Sequence, residues 1–410
     1  MDLEQSTSKQ TQVSITLATH LLINKFTNSN VVFSPLSIHV VLSILAAGSK
    51  GRTHDQLLAF LNANTAEELN SLYSHLVPLI FTNMSSPSNE RQLSVYDISR
   101  ESERPKLSVA NGVWVDKTLS FKPSFKEVAD TVYEAACIQV DFRAEAIEVA
   151  NEVNLWAEEQ TKGLIKQVLP TNAVNKFTRL IFANAIYFKG TWSDVFDEAG
   201  TTDDDFHLLN GTKVQVPFMR RSYSNEFVCE HDDFKVLGLP YSQCRDKREF
   251  TMYFFLPNAK DGLKSLIEKI SSASHFLDDH IPRRRVEVRK LLLPKFKIGI
   301  EFEASDMLKE LGVVLPFDDE ANFSEMVESS VDESLNVSGI HHKAFVEVNE
   351  FGTEAAAVSV EDQDCGFCLE EKPPCYEVDF VADHPFLFVI REDVTRVVLF
   401  MGQVNDPRIG

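Results

Sequence analysis

The sequence predicts an α+β fold, because helical periods lie mostly in its first half and strand-length apolar runs mostly in its second. "VSITLATHLLINKF" sets Val13, Leu17, Leu21, Leu22 and Phe26 near one face of a helix. "AIEVANEVNLWAEEQ" does the same with Ala146, Val149, Val153, Trp156 and Ala157. "RLIFANAIYF", from Arg179 to Phe188, is an unbroken apolar run of strand length, so it reads as a central strand buried on both faces. "FTMYFFLP" and "VVLFMGQV" are rich in the β-branched and aromatic residues of strands. No fixed-period repeat and no Gly/Ser or Pro-rich linker divides the chain, which favours one domain over residues 1–410. The polar stretch 85–106 reads as an insertion.

Composition narrows the function. The 410 residues carry 40 Lys+Arg against 61 Asp+Glu, a net charge of −21. A surface that acidic argues against non-specific binding to nucleic acid or anionic membranes. The basic knot "PRRRVEVRK", from Arg283 to Lys290, reads as an exposed, charged edge strand. No apolar run approaches the length of a membrane-spanning helix. The first residues have neither the basic nor the apolar part of a secretory leader, so a cytoplasmic or nucleocytoplasmic protein is expected. Six cysteines (Cys137, Cys229, Cys244, Cys365, Cys368, Cys375) are few for this length and fit free thiols in a reducing compartment.

Catalytic signatures are missing. The chain has no G-x-S-x-G, H-E-x-x-H, Walker or dinucleotide-binding motif. His341 and His342 would point to opposite faces of a strand and could not chelate one ion. No catalytic residue, cofactor or metal is therefore expected. Asn184 and His342 are polar groups inside otherwise apolar strands, and burial obliges each to find a hydrogen-bond partner. They read as satisfied core groups, bonded to each other or to nearby hydroxyls.

The stretch "EVNEFGTEAAAVSVEDQDCGFC" from Glu347 to Cys368 admits three readings. One is a short helix, since Thr-Glu-Ala-Ala-Ala has a capping residue and helix formers. One is a redox or metal site at Cys365 and Cys368, opposed by acidic flanks that raise thiol pKa. The third is a segment that becomes a strand. In that case Thr353, Ala355, Ala357 and Ser359 share one uniformly small face that could enter a sheet with little displacement.

Motifs along the whole chain support the third reading. "VNEFGTEAAAVS" resembles the hinge of a serpin reactive-centre loop. "VVFSPLSIHVVLSILAAGSKGRTHDQL", "VNLWAEEQTKGLIKQVL", "LIFANAIYFKGTWSDVF", "LLLPKFKI", "LGVVLPFDDEANFSEM", "HKAFVEVNE" and "DHPFLFVIREDVTRVVLFMGQVNDP" are similar to further serpin segments, in family order. "LSVANGVWVDKTLSFKPSFKEVA" resembles the plant intracellular branch. The resemblance implies three β-sheets, eight or nine helices and an exposed loop over about residues 350–372. It also implies a suicide inhibitor, working as a monomer: a protease attacks the loop, forms an acyl-enzyme and is trapped when the cleaved loop enters the main sheet. By the same resemblance, Glu350, Gly352, Thr353, Glu354, Ala355, Ala356 and Ala357 form the hinge. Ser34, Ser37, Asn184 and His342 form the shutter where strands part, and Trp192 marks the breach where insertion begins.

This sequence departs from the family pattern in places. Phe351 stands where inhibitory relatives usually carry Glu, and Val358 replaces a common Ala. Glu361 and Gln363 continue the small face. These departures leave open a non-inhibitory serpin-fold protein (binding, chaperone-like or storage), or an inefficient, substrate-like inhibitor. Counting from the hinge places the scissile bond after Gly366; counting back from "DFVADHP" moves it toward Leu369. Phe367 at the bond suits chymotrypsin-like serine proteases. Cleavage after Cys368 presents Phe367 to a papain-like cysteine protease. Cleavage after Asp364 suits an Asp-specific enzyme. No Arg or Lys lies between Asp364 and Leu369, Cys365 included, so trypsin-like partners are disfavoured.

Overall fold

The computed structural model describes residues 3–80, 105–170, 172–243, 247–273, 275–328, 335–353 and 378–410. Its first part is mainly helical. α1 (Leu3–His20) runs into one π-turn (Leu21–Lys25), followed by β1 (Val31–Phe33), α2 (Pro35–Gly48), α3 (Gly51–Phe60) and α4 (Ala66–Ile80). Then come β2 (Lys106–Asp116), β3 (Ser120–Phe121), α5 (Pro123–Tyr133), β4 (Ala135–Val140), α6 (Phe142–Gln160) and β5 (Leu180–Thr191). A run of antiparallel strands follows: β6 (Thr202–His207), β7 (Lys213–Glu230), β8 (Phe234–Pro240) and β9 (Phe250–Pro257). α7 (Leu263–Ser272), α8 (Phe276–His280), β10 (Arg285–Pro294), β11 (Phe296–Glu303) and α9 (Ser305–Glu310) lead to β12 (Val327–Glu328). The chain closes with β13 (Gly339–Asn349), β14 (Gly352–Thr353), β15 (Val378–Val381), β16 (Phe386–Glu392) and β17 (Val397–Val404).

The described residues thus form nine α-helices and three sheets, the predicted α+β class. Nine strands make one sheet, six make a second in the order β11-β13-β14-β5-β2-β4, and β12 pairs with β3. The apolar runs become β5, β9 and β17, and the helical periods become α1 and α6. α2 is apolar nearly all round and is buried on every side.

β5 organises the six-stranded sheet. Its side chains alternate between two cores, as a strand's period of two requires. Leu180, Phe182, Ile186 and Phe188 enter the larger one. Ile181, Ala183, Ala185 and Tyr187 enter a smaller one, which they share with Val149, Val153 and Ala157 of α6.

Two expectations need correction. β10, which carries the basic knot, is internal rather than an edge: β7 pairs with it on one side and β15 on the other. Its Arg and Lys side chains do reach solvent, so the sequence reports exposure of the side chains and not pairing of the backbone. Lys106, assigned to an insertion, instead opens β2 opposite Lys189 of β5; residues 85–104 fall outside the described set.

Phe182 is fully buried at the centre of this arrangement. Phe182→Ala should cost about 3–5 kcal/mol of stability through lost burial and a residual cavity. Urea unfolding checks this as a lower midpoint with unchanged slope.

Candidate functional site

The residues expected to guard and start strand insertion lie at two levels of the β5–β13 boundary. β13 pairs in parallel with β5 from Gly339↔Ile181 to Phe345↔Tyr187. At the centre of this pairing His342 faces Asn184, and Asn184 faces Asn111 of β2.

These side chains form one buried chain of hydrogen bonds. The Ser34 backbone N–H donates to His342 Nε2 at 3.1 Å. Nε2 is therefore the unprotonated nitrogen, and Nδ1–H donates to Asn184 Oδ1 at 3.0 Å. Asn184 Nδ2 donates to Asn111 Oδ1 at 2.7 Å. Asn111 Nδ2 donates to the Tyr133 carbonyl at 3.1 Å, one of the carbonyls that the end of α5 leaves without a helical partner. The chain thus ties the start of α2 to the end of α5 across three strands. Phe302, opposite His342 on β11, packs edge-on against the imidazole at 5.5 Å.

Ser34 and Ser37 meet at the start of α2, where Ser34 Oγ accepts from the Ser37 N–H at 3.2 Å as a helix cap. Ser34 contributes its backbone, not its hydroxyl, to His342. Ser37 Oγ has no partner among the described residues. Asn111 and Tyr133 were not singled out from sequence. Asn111 carried the same signal as Asn184, an amide inside an apolar strand; a backbone carbonyl carries none.

Above Phe345, β13 and β5 diverge and β14 sits between them. Gly352 and Thr353 pair antiparallel with Thr191 and Gly190 of β5, and with Asn349 and Val348 of β13. The expected exposed loop therefore does not begin exposed: Glu350 and Thr353 are buried. Asn349 makes the turn, its Oδ1 accepting from the N–H groups of Phe351 at 3.0 Å and Gly352 at 3.2 Å. Gly352 has φ +149°, and a Cβ there would lie 2.0 Å from the Gly190 carbonyl oxygen. Only glycine fits.

Trp192, the residue after β5, holds this turn. Its Nε1 donates to the Asn349 carbonyl at 3.0 Å and its backbone N–H to the Phe351 carbonyl at 2.8 Å. Its ring stacks on Tyr241 at 4.5 Å, and the Tyr241 hydroxyl meets Thr353 Oγ1 at 2.6 Å. Glu350 is clamped between Lys295 Nζ at 2.8 Å and Thr201 Oγ1 at 2.7 Å. Burial opposes ionisation of its carboxyl, but these partners together hold its pKa below the usual carboxylate value. Tyr241, Lys295 and Thr201 lie far from the hinge in sequence and gave no signal there. Glu354, Ala355, Ala356, Ala357 and the scissile-bond candidates Asp364, Cys365, Gly366, Phe367, Cys368 and Leu369 lie outside the described residues. No three His, Cys, Asp or Glu side chains among the described residues are grouped to hold a metal.

Two outcomes follow from this geometry. Burial pushes the pKa of His342, and of His39 in α2, down to about 3 from 6.5. Both rings stay neutral in the fold while the unfolded chain takes up protons below about 6.5. Their contribution is complete above that pH and declines as pH falls toward 3. Between pH 6 and 5, urea unfolding should lose about 1.4 kcal/mol per pH unit for each histidine, and His342→Gln should remove one histidine's share of the slope. Glu350→Gln should loosen the turn, read as faster amide exchange at Gly352 and Thr353.

Comparison with known proteins agrees with this geometry. The family model described as "Serpin (serine protease inhibitor)" matches residues 8–407. Serpin-ZX of Arabidopsis thaliana is 52% identical over 409 residues, covering 99% of this chain and 100% of the relative. Serpin-Z1C of Triticum aestivum is 47% identical, covering 99% and 97%. Among solved structures, Arabidopsis AtSerpin1 in its native stressed conformation superposes with a TM-score of 0.86 at 50% identity, covering 100% of this chain and 99% of that one. The sheet topology, the match along nearly the whole sequence and the full-length relatives agree: the chain belongs to the serpin (serine protease inhibitor) family.

Proposed function

We propose that this protein is a single-domain, monomeric suicide-substrate inhibitor of an intracellular serine or cysteine protease. The protease cleaves the segment after the hinge and becomes acylated. The released strand enters the six-stranded sheet between β5 and β13 and carries the protease with it before deacylation. About 16 inserted residues at ~3.3 Å each would move it roughly 50 Å. The protein supplies no catalytic group; it supplies a strand and a place for it. Two free thiols, Cys137 and Cys229, pushed up to about 11 by burial, are compatible with a reducing compartment.

The observation that carries this reading is the seating of Gly352 and Thr353 between β5 and β13. Continued residue for residue, that register would place Ala355 beside Phe188 and Val346, and Ala357 beside Ile186 and Ala344. Small residues would fall where the large core leaves little room. Ser359 would arrive between Asn184 and His342. Insertion would then break the His342–Asn184 bond and put a hydroxyl where both partners could bond again. On this reading Asn184, His342, Ser34 and Ser37 are the shutter, Trp192 marks the breach, and Glu350 begins the hinge.

A second reading rests on the same register. Glu361 would arrive between Phe182 and Ile340, both buried. An unpaired carboxylate there is costly. Insertion could stall before that point, leaving a substrate or a serpin that binds without inhibiting.

Chymotrypsin-like and papain-like proteases should form an SDS-stable covalent complex, with a released C-terminal peptide beginning between Gly366 and Glu370. Trypsin-like enzymes should form none. Cleavage by every protease without any complex would favour the second reading. Glu361→Ala should raise the ratio of complex to cleaved product at least several-fold, read by gel densitometry; an unchanged ratio would mean that Glu361 does not limit insertion.

A further inference from the structure

Three unlike donor atoms meet where the end of β7 approaches the end of α8. Cys229 is the last residue but one of β7, and His231 begins the turn into β8. Two residues apart on an extended chain, their side chains fall on one side. Cys229 Sγ stands 3.3 Å from His231 Nε2. Both face the backbone carbonyl of His280, the last residue of α8, whose oxygen is 3.0 Å from Sγ and 3.4 Å from Nε2. It is one of the carbonyls that the end of a helix leaves without a helical partner. The His231 ring is held by stacking on Phe234 at 4.6 Å, and its backbone N–H donates to the Phe234 carbonyl at 2.8 Å. Cys229, His231 and His280 are all half-buried, so solvent reaches the group.

Hydrogen bonding satisfies this triangle only weakly, because a thiol is a poor donor. A zinc ion accepts sulfur, nitrogen and oxygen at about 2.0–2.3 Å, so its tetrahedral ligands stand about 3.4–3.6 Å apart. Widening the three contacts by at most about 0.6 Å reaches that spacing. One sulfur beside an imidazole and a carbonyl oxygen suits zinc better than copper(I), which selects soft ligands. Charge favours a cation as well. Asp232 is near enough to His231 to draw positive charge toward its ring, and Lys269, which opposes it, is paired with Asp233 at 2.9 Å. We propose that Cys229, His231 and the His280 carbonyl form an open zinc site, with water as the fourth ligand. On binding, a Zn–S bond replaces the S–H bond and the thiol proton passes to solvent. The ion would pin the turn between β7 and β8 to the end of α8. Neither the hinge nor the shutter takes part, so the site does not depend on the inhibitory reading.

Calorimetric titration with zinc tests the site on the full chain, reduced and freed of metal. Cys244→Ser, Cys365→Ser, Cys368→Ser and Cys375→Ser are introduced together, which leaves Cys137 and Cys229 as the only thiols. One zinc ion should bind and raise the melting temperature. Cobalt(II) in its place should give the thiolate charge-transfer band and the strong visible absorption of a tetrahedral site. Cys229→Ser and His231→Gln, each checked for folding by its melting temperature without metal, should weaken zinc at least tenfold. Cys229→Ser should also remove the charge-transfer band, and Cys137→Ser should change neither affinity nor spectrum. Absence of saturable zinc binding at submillimolar concentration would overturn the proposal. So would an affinity unaffected by Cys229→Ser or by His231→Gln, or a band that disappears with Cys137→Ser.

Discussion

The parallel pairing of β13 with β5 runs only from Gly339↔Ile181 to Phe345↔Tyr187, and the rest of the site depends on where it stops. Below that point the two strands share a ladder closed by the buried His342–Asn184 bond. Above it they are too far apart to pair, and the backbone groups of both would be left without partners. The chain answers by turning back at Asn349 and laying Gly352 and Thr353 into the opening. The sheet is therefore closed by side chains at its centre and by two residues of a borrowed strand at its top.

The two closures differ in kind. At the centre, one imidazole and two carboxamides satisfy one another between backbone groups of α2 and α5. Every donor used has a matched acceptor, so the row stabilises the closed sheet by a modest amount per bond, while loss of any one member strands a buried polar group at about 1–3 kcal/mol. At the top, Trp192, Lys295 and Thr201 converge on a turn of four residues, Asn349 to Gly352, and Tyr241 bonds Thr353 just after it. The turn is held by groups outside the strand that it begins. Such an arrangement lets the segment after it change state while its root stays fixed, and that property makes strand insertion the natural reading of the site.

Much of this was legible in the sequence, for identifiable reasons. Apolar runs of strand length marked β5, β9 and β17 because burial on both faces leaves no alternation to confuse. Asn184 and His342 stood out because a polar group in such a run must be bonded. Asn111 carries the same mark in "VANGVW". What the sequence did not disclose was non-local. β10 displays its arginines, yet only the sheet order shows that it has neighbours on both sides. Glu350 looks like one more hinge residue until the fold brings Lys295 and Thr201 to it.

The central claim is that the opening between β5 and β13 is a seat for the segment that follows Thr353. Amide hydrogen exchange over residues 355–359, compared before and after cleavage within 364–369, tests it most directly. Cleavage should convert these amides to the slow exchange of a central strand, with Asn184 and His342 amides remaining protected on either side. Equal, fast exchange of residues 355–359 in the intact and cleaved protein would contradict the account.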